Sequence, residues 1–321
     1  MKRHTLRFII ALVAFVTIEP QLVSAEIRQM YLKDYIIAQQ ASLDSLPYSV
    51  PSEEETIKEE VLVNQNIMEN NDILAFYGHP SSTNMGILGR YSKESLNQQL
   101  TELAGEYDAA NGDRGVIKAF YLIFGTVWPE GEIGYINKKT LTSYIEFCQE
   151  NDIIVFIDHQ IGKYDPIDSL KTMLPYLRYP NVHLALDPEW RTAKPMKEIG
   201  SVTGEEINEA QKVISDYLAE HRLPGERLLV IHQFDAKMIK DRKAVETDYP
   251  GVCLVHCADG FGPPRLKRDT YAYLAQAKNM PVKGFKLFYN FNIPGAGYDN
   301  PILSPEEVLA LDPKPNLIIY Q

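Results

Sequence analysis

In the run Leu184-Ala185-Leu186-Asp187-Pro188-Glu189-Trp190, Asp187 and Glu189 stand two residues apart at the end of an apolar stretch. On a strand, residues at i and i+2 share a face, so the two carboxyls would point the same way. Two carboxylates held close cannot both ionise easily, and one is pushed up toward the range of a useful general acid. Cleavage of a glycosidic bond needs such a pair. One carboxylic acid protonates the leaving oxygen, and a second carboxylate stabilises or attacks the anomeric carbon. The competing role is structural: an N-cap, with an ion pair to Arg191.

Other apolar runs end on residues of the same kind. One ends in Tyr77-Gly78-His79-Pro80, another in Asp158-His159-Gln160, and another in His232-Gln233-Phe234-Asp235. Further on come Asp259 in a Gly-rich turn, then Lys286 followed by Tyr289-Asn290. Asp158 and Gln160 share a face, where Asp158 orients the pair, serves as a second carboxylate, or caps the next helix. Of His232 and Gln233 only one can face inward, because neighbours alternate. Tyr77, His79, Gln160, Trp190, Arg191, His232, Gln233, Asp259, Lys286 and Tyr289 are the expected lining of the site. The stretches around Trp128 and Tyr135, Trp190, and 289–300 mix aromatic rings with amides and acids, a surface suited to sugars.

Metal chemistry is the main rival. His79, His159, His232 and His256 lie near Asp158 and Asp259 in this pattern, but no H-x-H or H-E-x-x-H spacing occurs. No metal centre and no cofactor is expected, and the absence of G-x-S-x-G weighs against a serine nucleophile. Cys148, Cys253 and Cys257 form neither a disulfide framework nor a zinc set. Strand rise would separate the last two by ~13 Å, so they are expected as buried thiols.

The elements that must position these residues are legible from residue 72 onward. Apolar runs occur at Ile73–Tyr77, Val116–Phe124, Ile153–Asp158, Val182–Asp187, Leu228–Phe234, Val252–Cys257, Lys283–Tyr289 and Asn316–Gln321. Helical periodicity lies between them, near 93–108, 138–150, 167–177, 204–221, 236–246, 270–278 and 305–311. Ser304-Pro305-Glu306-Glu307 and Thr203-Gly204-Glu205-Glu206 have the spacing of helix starts. Eight strands that are apolar rather than alternating, with helices between, predict an α/β fold: a single (β/α)8 TIM barrel over 72–321. A doubly wound sheet is second, since it would want a Gly-rich phosphate loop. Working residues of such a barrel sit at the C-terminal strand ends, where the acids fall. The chain ends on strand eight, and part of 26–71 is expected to cover the place of the missing last helix.

Residues 1–25 have the form of a secretory leader. Lys2, Arg3 and Arg7 precede the apolar run Phe8 to Ile18, then Pro20, then Val23-Ser24-Ala25 as a cleavage site. The run is too short to span a bilayer. Export to the periplasm or the extracellular space is therefore expected, with no membrane span in the mature chain. Residues 26–71 read as an acidic extension or linker. Over all 321 residues, 32 Lys+Arg face 43 Asp+Glu, a net charge of −11 that argues against a nucleic-acid partner. The 19 Tyr and 12 Phe place most of the chain among folded domains.

Several motifs together resemble a family of exported bacterial proteins of unassigned activity. They are Tyr77-Gly78-His79-Pro80, Met85-Gly86-Ile87-Leu88-Gly89, Leu184–Arg191, Ile199-Gly200-Ser201-Val202, His232-Gln233-Phe234 and the closing Ser304–Asp312 segment. The resemblance covers nearly all of 73–321 and implies export and a barrel more than a reaction. It implies matching residues at Asp158, Gln160, Asp187, Glu189, His232 and Asp259, but not at His159 or His256. More distantly, D-x-E ending strand four resembles glycoside hydrolase families 18 and 25, which implies Glu189 as the acid. The chitinase-type pattern has a further Asp where this chain has Ala185. The expected function is a glycoside-hydrolase-like protein acting on a cell-envelope or environmental polysaccharide. The alternatives are a saccharide-binding barrel without chemistry, then a metal-dependent hydrolase.

Overall fold

A computed structural model describes residues 67–321. The expected leader and nearly all of the acidic extension lie outside the described residues, and so does the cover expected from that extension. All eight expected strands form: β1 (Asn71–Gly78), β2 (Gly115–Val127), β3 (Ile154–His159), β4 (Val182–Leu186), β5 (Arg227–Gln233), β6 (Val252–Ala258), β7 (Lys283–Leu287) and β8 (Leu317–Tyr320). Each pairs in parallel with its sequence neighbour, and β1 pairs with both β2 and β8. The sheet closes on itself, so no barrel edge is left unpaired. The fold is a (β/α)8 barrel.

Helices α1 (Lys93–Ala110), α2 (Lys138–Glu150), α3 (Pro166–Lys171), α4 (Gly204–Glu220), α5 (Pro264–Ala275) and α6 (Pro305–Leu309) lie between the strands. The capping boxes expected at Thr203 and Ser304 are both made, each hydroxyl accepting from the amide three residues on. Helix α1 packs against α6 beside β8, and Tyr107 meets the Tyr320 hydroxyl at 2.8 Å.

Three connections differ from expectation. The helix expected near 167–177 stops at Lys171 and resumes as a 3₁₀ turn over Leu174–Arg178, because Pro175 has no N–H to continue the ladder. The segment near 236–246 forms no α-helix. It makes two 3₁₀ turns around Ile239–Lys240, which pairs with Val202–Thr203, and Asp241 breaks the path in the left-handed region at φ 50°. The helix expected near 270–278 begins earlier, at Pro264, where Pro fits the first turn. Strand β2 also runs past its expected end and folds back onto Ile133–Tyr135 as an antiparallel pair.

Inside the barrel, side chains from alternate positions form one core, including Ala75 and Tyr77 of β1, Tyr121 of β2, Phe156 of β3, Ala185 of β4, Val230 of β5, Cys257 of β6 and Ile319 of β8. Small residues make room for the rings. Gly284 has no alternative, since a Cβ there would meet Cys257 Sγ at 2.9 Å. At the N-terminal end Met68 closes the core, and buried Asp72 gathers Arg114, Lys314 and Asn316 at 2.6–3.1 Å. Cys148, Cys253 and Cys257 are free thiols. Among the described residues no helix is long and apolar enough to cross a membrane.

Candidate active site

The C-terminal mouth collects the polar residues. Tyr77 at the end of β1 donates its hydroxyl to Asp158 Oδ2 at 2.9 Å, joining β1 to β3. Asp158 Oδ1 is buried without a hydrogen-bond partner. It does not cap a helix, since α3 is capped by Asp165. Tyr121, projecting from β2, meets His232 Nε2 at 2.7 Å, while His232 Nδ1 faces Asp259 Oδ2 at 3.1 Å. Lys286 Nζ donates to that same Asp259 oxygen at 3.1 Å and lies 3.9 Å from the centre of the Tyr77 ring. Gly260 N–H donates to Asp259 Oδ1 at 2.7 Å.

Asp187 and Glu189 reach this cluster by a different geometry from the expected one. Strand β4 ends at Leu186, and Pro188–Trp190 forms a 3₁₀ turn, so the two acids are not alternate positions of one strand. The turn is held from behind: Gly200 N–H donates to Glu189 O at 2.6 Å, and a Cβ at Gly200 would meet Pro188 O and Arg191 N at 2.5–2.6 Å. Only glycine allows that approach. Asp187 is 2% exposed, makes no side-chain cap bond, and leaves Oδ1 unpartnered. Arg191 turns away to Glu206 at 2.6 Å and to Ser201 O. Both structural roles considered for the pair are thus taken from it, and neither acid has an ion-pair partner among the described residues.

The electrostatics follow from burial and from who faces whom. Burial, helped by Asp158 and Asp259 and opposed by His232 and Lys286, pushes Asp187 up to about 7. Glu189, partly exposed at the mouth, is pushed up to about 9 by desolvation and then by the Asp187 and Asp259 charges. Burial also raises Asp158, and Asp259 adds to it. For Asp259 burial is outweighed by Lys286 and His232, which hold it well below the usual carboxylate range. Burial alone would lower His232, but Asp259 and Cys257 together outweigh it and hold the imidazole well above its ordinary value. Lys286 is likewise raised, its own burial overcome by the three Asp. Asp259 is thus favoured as an anion by His232 and Lys286, and it faces three carboxyls that burial shifts the other way.

Of the expected lining, the structure brings together Tyr77, Asp158, Asp187, Glu189, His232, Asp259 and Lys286. Gln233 faces the other way, bonded to His256 at 2.8 Å and Arg242 at 3.3 Å on the outside of the barrel. Gln160 accepts from Val127 N–H at 2.9 Å and ties the end of β2. His79 accepts from Ser81 N–H within its own loop. Tyr289 stacks on Tyr320, with ring centres 5.3 Å apart, beside a groove next to the cluster. Trp190 closes the acid-bearing turn through its N–H to Asp187 O. His159 and His256 point away from the mouth, toward Tyr135 and toward Gln233 and Lys283. Among the described residues no group of three His, Cys, Asp or Glu is arranged to hold a metal ion. Sequence reasoning missed Tyr121. Its signal was parity with Ala119 and Ile123, obscured because β2 continues beyond the barrel rim.

No family model matches the sequence, and no curated protein matches it. Solved structures with a similar backbone include oxaloacetate acetylhydrolase bound to 3,3-difluorooxalacetate (15% identity over 79% of this chain and 77% of that one, TM-score 0.47). Others are an endo-1,4-β-mannanase from Rhizomucor miehei (8%, 78% and 85%, TM-score 0.40) and a family 18 chitinase from Crocus vernus (9%, 78% and 92%, TM-score 0.38). The class defined by fold and site together is a (β/α)8 barrel with an acidic, imidazole- and lysine-braced mouth.

Proposed function

We propose that this chain is an exported glycoside hydrolase acting on a cell-envelope or environmental polysaccharide. The observation that carries the reading is the Asp187–Glu189 turn: two carboxyls on one short turn at the barrel mouth, both raised, neither paired with a cation. Glu189, protonated and partly exposed, donates its proton to the glycosidic oxygen as the bond to the anomeric carbon breaks. Asp187, behind it, stabilises or attacks that carbon, and water completes the hydrolysis. Asp158, held by Tyr77, orients Asp187. Asp259 with His232 and Lys286 supplies fixed charges that need no rearrangement during the reaction. Export rests on the leader-like first 25 residues.

The test is reducing-end release from peptidoglycan and a panel of bacterial and plant glycans, wild type beside Glu189→Gln. Loss of a positioned general acid costs about 10²–10⁴-fold, so the variant should fall to background while remaining folded. Activity retained by Glu189→Gln would remove Glu189 from the acid role. One observation favours a second reading, a barrel that binds saccharide without cleaving it. Ala185, where chitinase-type sequences have a further acid, is packed into the core. That reading predicts affinity without product, and an affinity indifferent to Glu189→Gln.

A further inference from the structure

Arg90 is a cation without an acid. It stands on the loop between β1 and α1, half-buried, and its guanidinium forms no hydrogen bond or ion pair among the described residues; Nε is buried with no partner. Acids are not scarce. The chain has 43 Asp+Glu against 32 Lys+Arg, and Arg114, Arg191 and Arg268 each hold one at 2.6–3.1 Å. A guanidinium drawn partly out of water with no oxygen beside it is completed by an anion from outside the chain.

What Arg90 does touch is a ring. Its guanidinium carbon lies 3.8 Å from the centre of Phe291, which lines a groove on the β7–β8–β1 side of the mouth together with Phe288, Tyr289, Tyr298, Asn84 and Asn290. The ring attracts the charge but offers no oxygen to the N–H groups. No Asp or Glu side chain lines the groove. Lys286 Nζ borders it, 5.2 Å from the Phe288 ring, but is already held by Asp259 at 3.1 Å. Arg90 therefore brings the groove a positive charge that no acid of the described chain takes up.

The guanidinium is carried by a fixed loop. His79 N–H donates to Met85 O at 2.8 Å, Ile87 N–H to Tyr77 O at 2.9 Å and Arg90 N–H to Ile87 O at 3.0 Å. Gly86 turns the loop at φ 85°, where a Cβ would strike the Tyr77 carbonyl. In the groove wall, Asp299 accepts from Phe288 N–H at 3.0 Å and from Gly262 N–H at 2.9 Å. Loop and wall are thus ordered before anything binds, which lowers the cost of binding.

We propose that Arg90 is a specificity-determining residue, pairing with the carboxylate of an acidic sugar unit that lies in this groove. The planar fork of a guanidinium matches the two oxygens of a carboxylate. One free positive charge also matches one carboxylate, whereas a phosphomonoester, with a charge of about −1.5 to −2, would be left partly unpaired. The inference rests on the carbohydrate reading of the mouth and narrows it to a polymer with carboxylated units.

The experiment is calorimetric titration of the full chain carrying Glu189→Gln with tetragalacturonate and a hyaluronan tetrasaccharide, each beside its methyl ester. The ester keeps the sugar and removes the charge. Titrations are repeated with Arg90→Gln, and separately Arg90→Lys, added; thermal melts confirm folding, and wild type is assayed for hydrolysis of neutral and acidic polymers in parallel. At least one acid should bind about tenfold or more tighter than its ester. Arg90→Gln should bring the two within about twofold by weakening the acid alone, and Arg90→Lys, which keeps the charge and loses the fork, should retain part of the preference. Equal weakening of acid and ester by Arg90→Gln would make Arg90 a prop for Phe291 and overturn the proposal. So would a preference unchanged in Arg90→Gln, no preference in the chain that keeps Arg90, or no binding of either acid; hydrolysis by wild type in those cases would leave the Glu189 chemistry standing. An Arg90-dependent preference with no hydrolysis by wild type would keep the pairing and remove the chemistry.

Discussion

Replacing Asp187 by Asn should make the protein more stable at neutral and alkaline pH. Asp187 is 2% exposed and its carboxyl is raised from 3.8 to about 7. An acid whose folded value lies above its unfolded value binds more protons folded than unfolded, so its ionisation costs stability as pH rises from near 4 to near 7. At about 1.36 kcal/mol per unit, the full difference is about 4 kcal/mol at pH 8. Because Asp187 titrates together with Asp158 and Glu189, the net expectation is about 2–4 kcal/mol. Asn keeps the shape, and its amide can donate where Oδ1 now has no partner. For a barrel of this size the gain corresponds to roughly 5–12 °C in Tm. The assay is thermal and urea unfolding of both proteins from pH 5 to pH 9. The difference should be small at pH 5, grow toward pH 7 and level off above it. Equal stability at pH 8, or a less stable variant, would refute the argument that burial and neighbouring acids strain this carboxyl.

On the proposed glycosidase mechanism, which needs Asp187 ionised and Glu189 protonated, kcat/KM should peak between about 7 and about 9. An optimum near 4–5, as for ordinary carboxyls, would contradict it. At the opposite end of the barrel, Asp72→Asn should destabilise by about 2–3 kcal/mol at pH 7, because Arg114 and Lys314 lose their buried anion. Hydrogen bonds from Lys314, Asn316 and Arg114 outweigh burial and depress Asp72, so the wild-type advantage should persist above the ordinary carboxylate range and vanish only as pH falls through that depressed value. Urea unfolding at pH 7 and pH 3 measures it.

The barrel was legible because its strands are buried on both faces and so read as unbroken apolar runs. That same property hid the facing of individual residues. Along Leu228–Phe234 both faces are apolar, and hydrophobicity offers no parity to say that His232 turns inward while Gln233 turns out to His256 and Arg242. The acids were legible as a pair, but the strand geometry invoked for them was wrong: Pro188 ends the ladder and a 3₁₀ turn makes the approach instead. Arg191 was attractive as a partner by adjacency, yet Glu206, fifteen residues on, takes it. Contacts set by the return of a loop leave no trace in local spacing.

Asp72 and Asp187 sharpen the point. Both are aspartates beside barrel strands, 1% and 2% exposed, and desolvation raises both. One is nonetheless held below its ordinary value and the other above, because Lys314, Arg114 and Asn316 touch the first, whereas the second has acids for neighbours and no cation in contact. Burial alone therefore does not set the direction in which a carboxyl is shifted. What distinguishes the two is whether the counter-charge is spent on the same residue. At the mouth Lys286 and His232 are both spent on Asp259, and that leaves Asp187 and Glu189 free to hold protons.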